Sequence, residues 1–235
     1  MSEESAIQVN FGKPVPLFPL DTPILLPQQV IPLRVFEPRY KQMVAEVLDG
    51  TGQIAMAVFA GGAWKQEYHG KPPLRPAVCI GQIVQHEREE NGTYMLLVQG
   101  VCRARIAEEI KPGQGRLYRE AMLEPVGIDM AEETKLYGVR ERLSELLEAR
   151  PLSELQLADR VVELIQKEQI PTAVLLELVA FALPTRAETR YRLLEEADAA
   201  ERADLIEHEL LGLKHLMKVA KGQHPEEWPK GISWN

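Results

Sequence analysis

The sequence predicts an α+β protein: a β-rich first half, folded as a small, partly closed β-barrel with one helix, followed by an α-helical bundle. Three observations carry this. Up to about Pro125, short apolar runs are punctuated by Pro and Gly; beyond it, apolar residues recur at helical spacing. Asn91-Gly92 stands between two β-rich runs, a strong short-range hairpin signal. Glu37-Pro38 precedes an apolar stripe at Tyr40, Met43, Val44, Val47 and Leu48, one face of a helix with proline in its first turn.

In chain order, Val15 to Leu20 reads as an edge or irregular strand, because Pro16 and Pro19 cannot donate to a ladder. Ile24 to Leu26 and Val30 to Phe36 read as further short strands. The helix after Glu37 closes at Asp49-Gly50, where glycine accepts the left-handed terminal conformation. Ile54 to Phe59 reads as a buried strand. Val78 to Glu87 and Thr93 to Gln99 flank the Asn-Gly turn, expected as type I′. Val101 to Glu109 continues after Gly100, with Cys102, Ala104 and Ile106 on one face and Arg103 and Arg105 on the other. Leu117 to Val126 completes about seven short strands, which suits a small, partly closed barrel.

Four or five helices follow. Leu136, Val139, Leu143, Leu146 and Leu147 form one stripe; Ala203, Ile206, Leu210, Leu213 and Met217 form another. Val174 to Leu183 is apolar almost all round and should be the most buried helix. Ser153, Thr185 and Asp198 each precede Gln or Glu by three residues, the spacing of a capping box. The expected organisation is a barrel subdomain over 1–125, a helical subdomain over 126–217 and a polar, loosely held tail over 218–235 that contains Trp228 and Trp234.

Composition narrows the function. The chain has 235 residues, is 45% hydrophobic and carries a net charge of −8. Through Pro125, 13 Lys and Arg face 14 Asp and Glu; beyond it, 14 face 21. Neither half offers the basic face that phosphate neutralisation needs, so nucleic acid is a disfavoured partner. The apolar run from Val174 is too short to span a bilayer, and the first residues lack the features of a secretory signal. Two cysteines, Cys79 and Cys102, sit among apolar residues and read as reduced, buried thiols of a cytoplasmic protein.

Catalytic patterns are weak. The serines are Ser2, Ser5, Ser144, Ser153 and Ser233, none within a G-x-S-x-G turn. His208-Glu209 begins like H-E-x-x-H, but Gly212 stands where the second His belongs. His208 and His215 read as solvated helix-face residues, and Glu87, Glu89 and Glu90 as a charged turn. No G-x-x-x-x-G-K-[ST] loop is present. No catalytic residue, metal site or cofactor is expected. The loop from Gly61 to Arg75 carries Trp64 and Tyr68, contact candidates because exposed aromatic rings supply interface energy. The alternative for them is packing back onto the barrel.

Several strings resemble the N-terminal substrate-binding domain of Lon proteases. They are Pro16-Leu17-Phe18-Pro19-Leu20, Leu26-Pro27, and Ile31-Pro32-Leu33-Arg34-Val35-Phe36-Glu37-Pro38-Arg39-Tyr40. The resemblance continues through Ile54-Ala55-Met56-Ala57, Gly81-Gln82-Ile83-Val84, Tyr94 to Gly100 and Arg103-Ala104-Arg105-Ile106. It ends in Ala182-Leu183-Pro184 and Arg192-Leu193-Leu194-Glu195, covering about Pro14 to Leu216. Gln28 and Val35 depart from the family pattern, which often has Gly and His or Thr there. The resemblance implies a PUA-like barrel with a helical bundle, in a stand-alone protein without ATPase or peptidase domains. Phe36, Glu37, Pro38, Arg39 and Tyr40 are its signature, and their expected role is structural, fixing how the first helix meets the barrel.

The function this implies is non-catalytic capture of unfolded, apolar or extended polypeptide segments, by strand addition or groove binding. Two alternatives stand beside it: an adaptor whose acidic helices dock on one dedicated protein partner, and an RNA-binding module by analogy with other PUA-like barrels, which the charge disfavours. Oligomeric state is not legible.

Overall fold

The computed structural model describes residues 7–22, 25–65, 70–111, 113–127, 133–183 and 186–222. The chain forms two compact units, Met1–Met130 with Arg186–Asp198, and Ala131–Thr185 with Ala199–Asn235.

The first unit is built on a six-stranded mixed sheet: β1 (Val15–Leu20), β2 (Val30–Val35), β3 (Gln53–Val58), β4 (Ala77–Arg88), β5 (Tyr94–Ile110) and β6 (Arg119–Val126). Its order is β2-β5-β4-β3-β1-β6, and β6 also pairs with β5, so the sheet curls back on itself. The enclosed core holds Leu17, Ala55, Val78, Ile80, Ala104 and Leu123. Helix α1 (Pro38–Leu48) buries Tyr40, Met43, Val44 and Val47, the stripe expected from its spacing.

Four local expectations change. β1 is not an edge strand: it pairs with β3 on one side and β6 on the other. The two ladders are offset, however. Pro16 lies before pairing with β3 begins at Leu17, and Pro19 lies beyond the last β6 pair, Leu17–Arg119. Each proline therefore faces one ladder only, which removes the conflict with its missing N–H. Leu25 and Leu26 are buried but belong to no strand; Ile24 lies outside the described residues. The runs on either side of Gly100 are one 17-residue strand. A side chain there would collide with the Leu26 carbonyl, and Gly100 N–H donates to Gln29 O at 2.8 Å. Lastly, the β4–β5 turn is not type I′, since only Gly92 of the Asn-Gly pair has positive φ. Gly92 N–H donates to Glu89 O, and Asn91 Oδ1 accepts from Thr93 N–H at 2.7 Å. That is a type I turn ending in a left-handed glycine.

Helix α5 (Ala187–Glu195) belongs to this unit. Its Tyr191 is fully buried and its hydroxyl accepts Ala77 N–H at 2.8 Å. Arg103, 5% exposed, donates from Nε and Nη2 to Leu193 O at 3.1 and 2.9 Å. Arg75 stacks 3.3 Å over the Tyr191 ring and forms a bidentate pair with Glu188.

The second unit contains α2 (Val139–Glu148), α3 (Ala158–Ile165), α4 (Thr172–Ala182) and α6 (Ala199–Gly222). Leu136, Val139, Leu143 and Leu147 are buried as their spacing predicts. α4 buries Leu175, Leu176, Val179 and Ala180, and also Glu177, which pairs with Arg202 of α6 at 3.3 Å. Ser153 caps no helix; it lies within a 3-10 turn, Leu152–Glu154, and α3 starts four residues beyond that turn with no side-chain cap. The working cap is Glu133, whose carboxylate accepts Thr172 N–H and Thr172 Oγ1–H, each at 2.7 Å. α5 has Arg186 at its N-cap. Thr185, Trp228 and Trp234 lie outside the described residues. No described helix is long and apolar enough to cross a membrane.

Candidate functional site

The most distinctive surface of the first unit is the outer face of β2, β5 and β4. Strand alternation sends Ile31 and Val35 of β2 inward, and Val30, Pro32 and Arg34 outward. Opposite them on β5 lie Gln99, Leu97 and Met95. Opposite Leu97 and Met95 on β4 lie Gln85 and Glu87, and an irregularity between Ile83 and Gln85 leaves Val84 out of register. Four large apolar side chains around this face are open to solvent: Val30 at 46%, Phe36 at 63%, Val84 at 49% and Met95 at 37%. Arg34 and Glu89, 3.6 Å apart, add charge beside it.

The same face has an open side. Among the described residues, β2 pairs only with β5. Gly100 N–H bonds to Gln29 O, and with the β2–β5 register this turns the backbone groups of Val30, Pro32 and Arg34 away from β5. The sheet thus ends in an unpaired edge, interrupted by the missing N–H of Pro32.

The signature string lies at the end of this edge. Phe36 is exposed, and Pro38 opens α1 with Glu37 at its N-cap. Glu37 accepts Arg39 Nε–H at 3.1 Å. Arg39 lies over the Tyr40 ring, 4.7 Å from its centroid, and buried Tyr40 packs against Phe18 with ring centroids 4.5 Å apart. Arg39 and Tyr40 also line a small cleft of about 160 Å³ with Leu17, Lys71, Tyr118 and Arg119. Burial would raise the Glu109 carboxyl, but the hydrogen bonds and charges of Arg119 and Lys71 hold it below its ordinary range. The cations of this cleft are therefore engaged in ion pairs. Tyr118 is pushed up to about 12 by burial and by its hydrogen bond to Glu46.

The loop aromatics are placed differently. Trp64 is half-buried and stacks on Phe59, ring centroids 4.7 Å apart and planes 9° apart. Tyr68 lies outside the described residues. His208 and His215 are both exposed on α6. Among the described residues, no three His, Cys, Asp or Glu side chains are arranged to hold a metal ion. Sequence reasoning missed the apolar outer face, because Val30, Val84 and Met95 lie in strands whose facing depends on register. Phe36, in the next position of the outward alternation, was the available signal.

A family model described as the ATP-dependent protease La (LON) substrate-binding domain matches residues 14–211. The chain is 27% identical over 216 residues to a Lon protease of Trichlorobacter lovleyi, covering 89% of this chain and 25% of that protein. It is 23% identical over 211 residues to a Lon protease of Desulfosudis oleivorans, covering 88% of this chain and 24% of that protein. The chain thus spans about a quarter of the length of these curated relatives. Among solved structures, it is similar to the N-terminal domain of Mycobacterium avium complex Lon protease, with TM-score 0.63 and 18% identity, covering 84% of this chain and 98% of that one. It is also similar to a Lon N-terminal domain protein from Xanthomonas campestris, with TM-score 0.56 and 22% identity, covering 82% and 95%. These structures share its α+β fold.

Proposed function

The chain belongs to the family of ATP-dependent protease La (LON) substrate-binding domains, and on that premise we propose that it is a non-catalytic recognition module of the cytoplasm. It captures apolar or extended segments of other polypeptides on the outer face of β2, β5 and β4. The observation that supports this reading is the exposure of Val30, Phe36, Val84 and Met95 around one sheet face that ends in an open edge. An extended segment gains twice there: its side chains cover exposed apolar surface, and its backbone meets the free groups of β2. Trp64 and Tyr68 enter the proposal as a separate, secondary contact on the loop.

Suppression of aggregation tests this. The purified chain, without ATP, is added to a chemically unfolded model client while light scattering is followed. Near-stoichiometric suppression is expected, and Phe36→Ser with Met95→Ser should weaken it about tenfold, from roughly 1.5 kcal/mol of lost apolar burial. Trp64→Ala measures the loop contribution separately. Absence of suppression rejects general capture; a single stoichiometric protein in a pulldown then assigns the chain to one dedicated partner.

A further inference from the structure

Among the described residues, the small cleft of the first unit is lined by three cations and by no carboxylate: Arg39 in the first turn of α1, Lys71, and Arg119 at the start of β6. Arg39 is matched by Glu37 at 3.0 Å. One carboxylate serves the other two cations. Glu109 accepts Arg119 Nε–H at 2.9 Å and Nη2–H at 2.6 Å, and its Oε2 lies 3.1 Å from Lys71 Nζ. The trio therefore keeps one net positive charge. Arg119 fixes this arrangement, because its Nη1–H also donates to Pro72 O at 2.7 Å, next to Lys71 in the chain. An ammonium has three N–H donors; Glu109 takes one, and the Lys71 side chain is 54% exposed.

Apart from Gly70, the rest of this lining is apolar or aromatic: Leu17 and Pro19 of β1, Ile110 of β5, Leu117, and the rings of Tyr40 and Tyr118. Leu117 is 60% exposed. Its segment is tied to α1, since Leu117 N–H donates to Gln42 Oε1 at 2.9 Å and Gln42 Nε2–H donates to Gly115 O at 3.0 Å. This wall is held in place before a ligand arrives, which lowers the ordering cost of binding. At about 160 Å³ the cleft is smaller than the ~300 Å³ at which pockets for drug-sized ligands begin, so it takes a group about the size of one amino-acid residue. We propose that the cleft binds a carboxylate carried on a short apolar body, with Lys71 Nζ donating to the carboxylate and the body lying against Leu117 and the tyrosine rings. That chemistry belongs to the last residue of a polypeptide ending in an apolar side chain, and to a free aliphatic acid. One net charge matches a monoanion; a phosphate dianion would leave negative charge uncompensated against the apolar wall. The site uses none of Val30, Phe36, Val84 and Met95, so it stands or falls separately from capture on the outer face of the sheet.

The full chain is titrated with N-acetyl-leucine, with its amide and with 4-methylpentanoate at constant ionic strength, and binding is followed by backbone amide chemical shifts. N-acetyl-leucine should bind about tenfold more tightly than its amide, the ratio expected when one charge-assisted hydrogen bond is lost. Lys71→Gln leaves the Arg119–Glu109 pair neutral and should remove that preference. Leu117→Glu places a negative charge on the lining at an exposed position and should abolish binding of the acids, with unchanged circular dichroism. Lys218→Gln, which removes the same charge from α6 in the second unit, should change nothing. Tighter binding of the peptide Gly-Ser-Gly-Ser-Leu than of 4-methylpentanoate assigns the ligand to a polypeptide end; the reverse order assigns it to a free acid. Absence of saturable binding by either acid overturns the proposal, as does an amide that binds as tightly as the acid. Binding that Lys71→Gln leaves unaltered, or displacement by equimolar inorganic phosphate, overturns it as well.

Discussion

Removing one member of the Glu177–Arg202 pair should cost far more than removing both. The side chains are 6% and 7% exposed, on α4 and α6, with Arg202 Nε 3.3 Å from Glu177 Oε1. At that separation, two unit charges attract by about 5 kcal/mol for an effective dielectric near 20. Burial of each ion costs several kcal/mol, so the pair as a whole is close to neutral. Arg202→Met keeps the alkyl stem but takes the cation from a carboxylate that stays buried, at a cost of about 3–5 kcal/mol. With a melting shift of about 2–4 °C per kcal/mol for a chain of this size, Tm should fall by about 6–20 °C. Adding Glu177→Leu removes the buried carboxylate itself, and the double variant should recover to within about 1 kcal/mol of the parent. Urea and thermal unfolding of the parent, both single variants and the double variant complete the cycle. A double variant as unstable as the sum of the singles would refute the reasoning: the two groups would then stabilise independently of one another.

Three other outcomes are expected. Gly100→Ala should destabilise the first unit by about 3 kcal/mol, since the new methyl meets backbone at Leu26 and not a side chain that can move; urea midpoints measure it. The Cys102 thiol, pushed up to about 11 by burial, should alkylate about 100-fold more slowly at pH 8 than an unperturbed thiol, as followed by mass spectrometry. The Glu133 carboxyl is held below its ordinary range by the hydrogen bonds from Thr172. Its contribution is therefore present above the unfolded carboxylate value of about 4.3 and is lost as pH falls through the lower folded value. Parent and Glu133→Gln should differ near neutral pH and converge in acid, by urea unfolding across that range.

Much of the fold was legible because it is written in local chemistry. The stripe from Tyr40 to Val47 and the proline at its head define α1 within a dozen residues, and the Asn91-Gly92 pair marks the hairpin. Even there, the turn type depended on the register the two strands adopted. The candidate site was less legible. The string from Phe36 to Tyr40 stood out, but that Phe36 faces solvent while Tyr40 is buried follows from where β2 ends and α1 begins.

The sequence by itself determined the α+β class, the change of period near Pro125, the resemblance along most of the chain and the buried stripes of α1 and α2. These depend on side chains a few residues apart, whose periodicity is the same whatever the rest of the chain does. Tertiary structure alone decided that β1 lies between β3 and β6, that α5 covers the sheet and that Glu133 caps α4. Arg103 and Leu193 are 90 residues apart, and Glu133 and Thr172 are 39 apart. A buried guanidinium or a helix N-terminus needs a partner, but its chemistry does not say which distant segment supplies it; packing makes that choice.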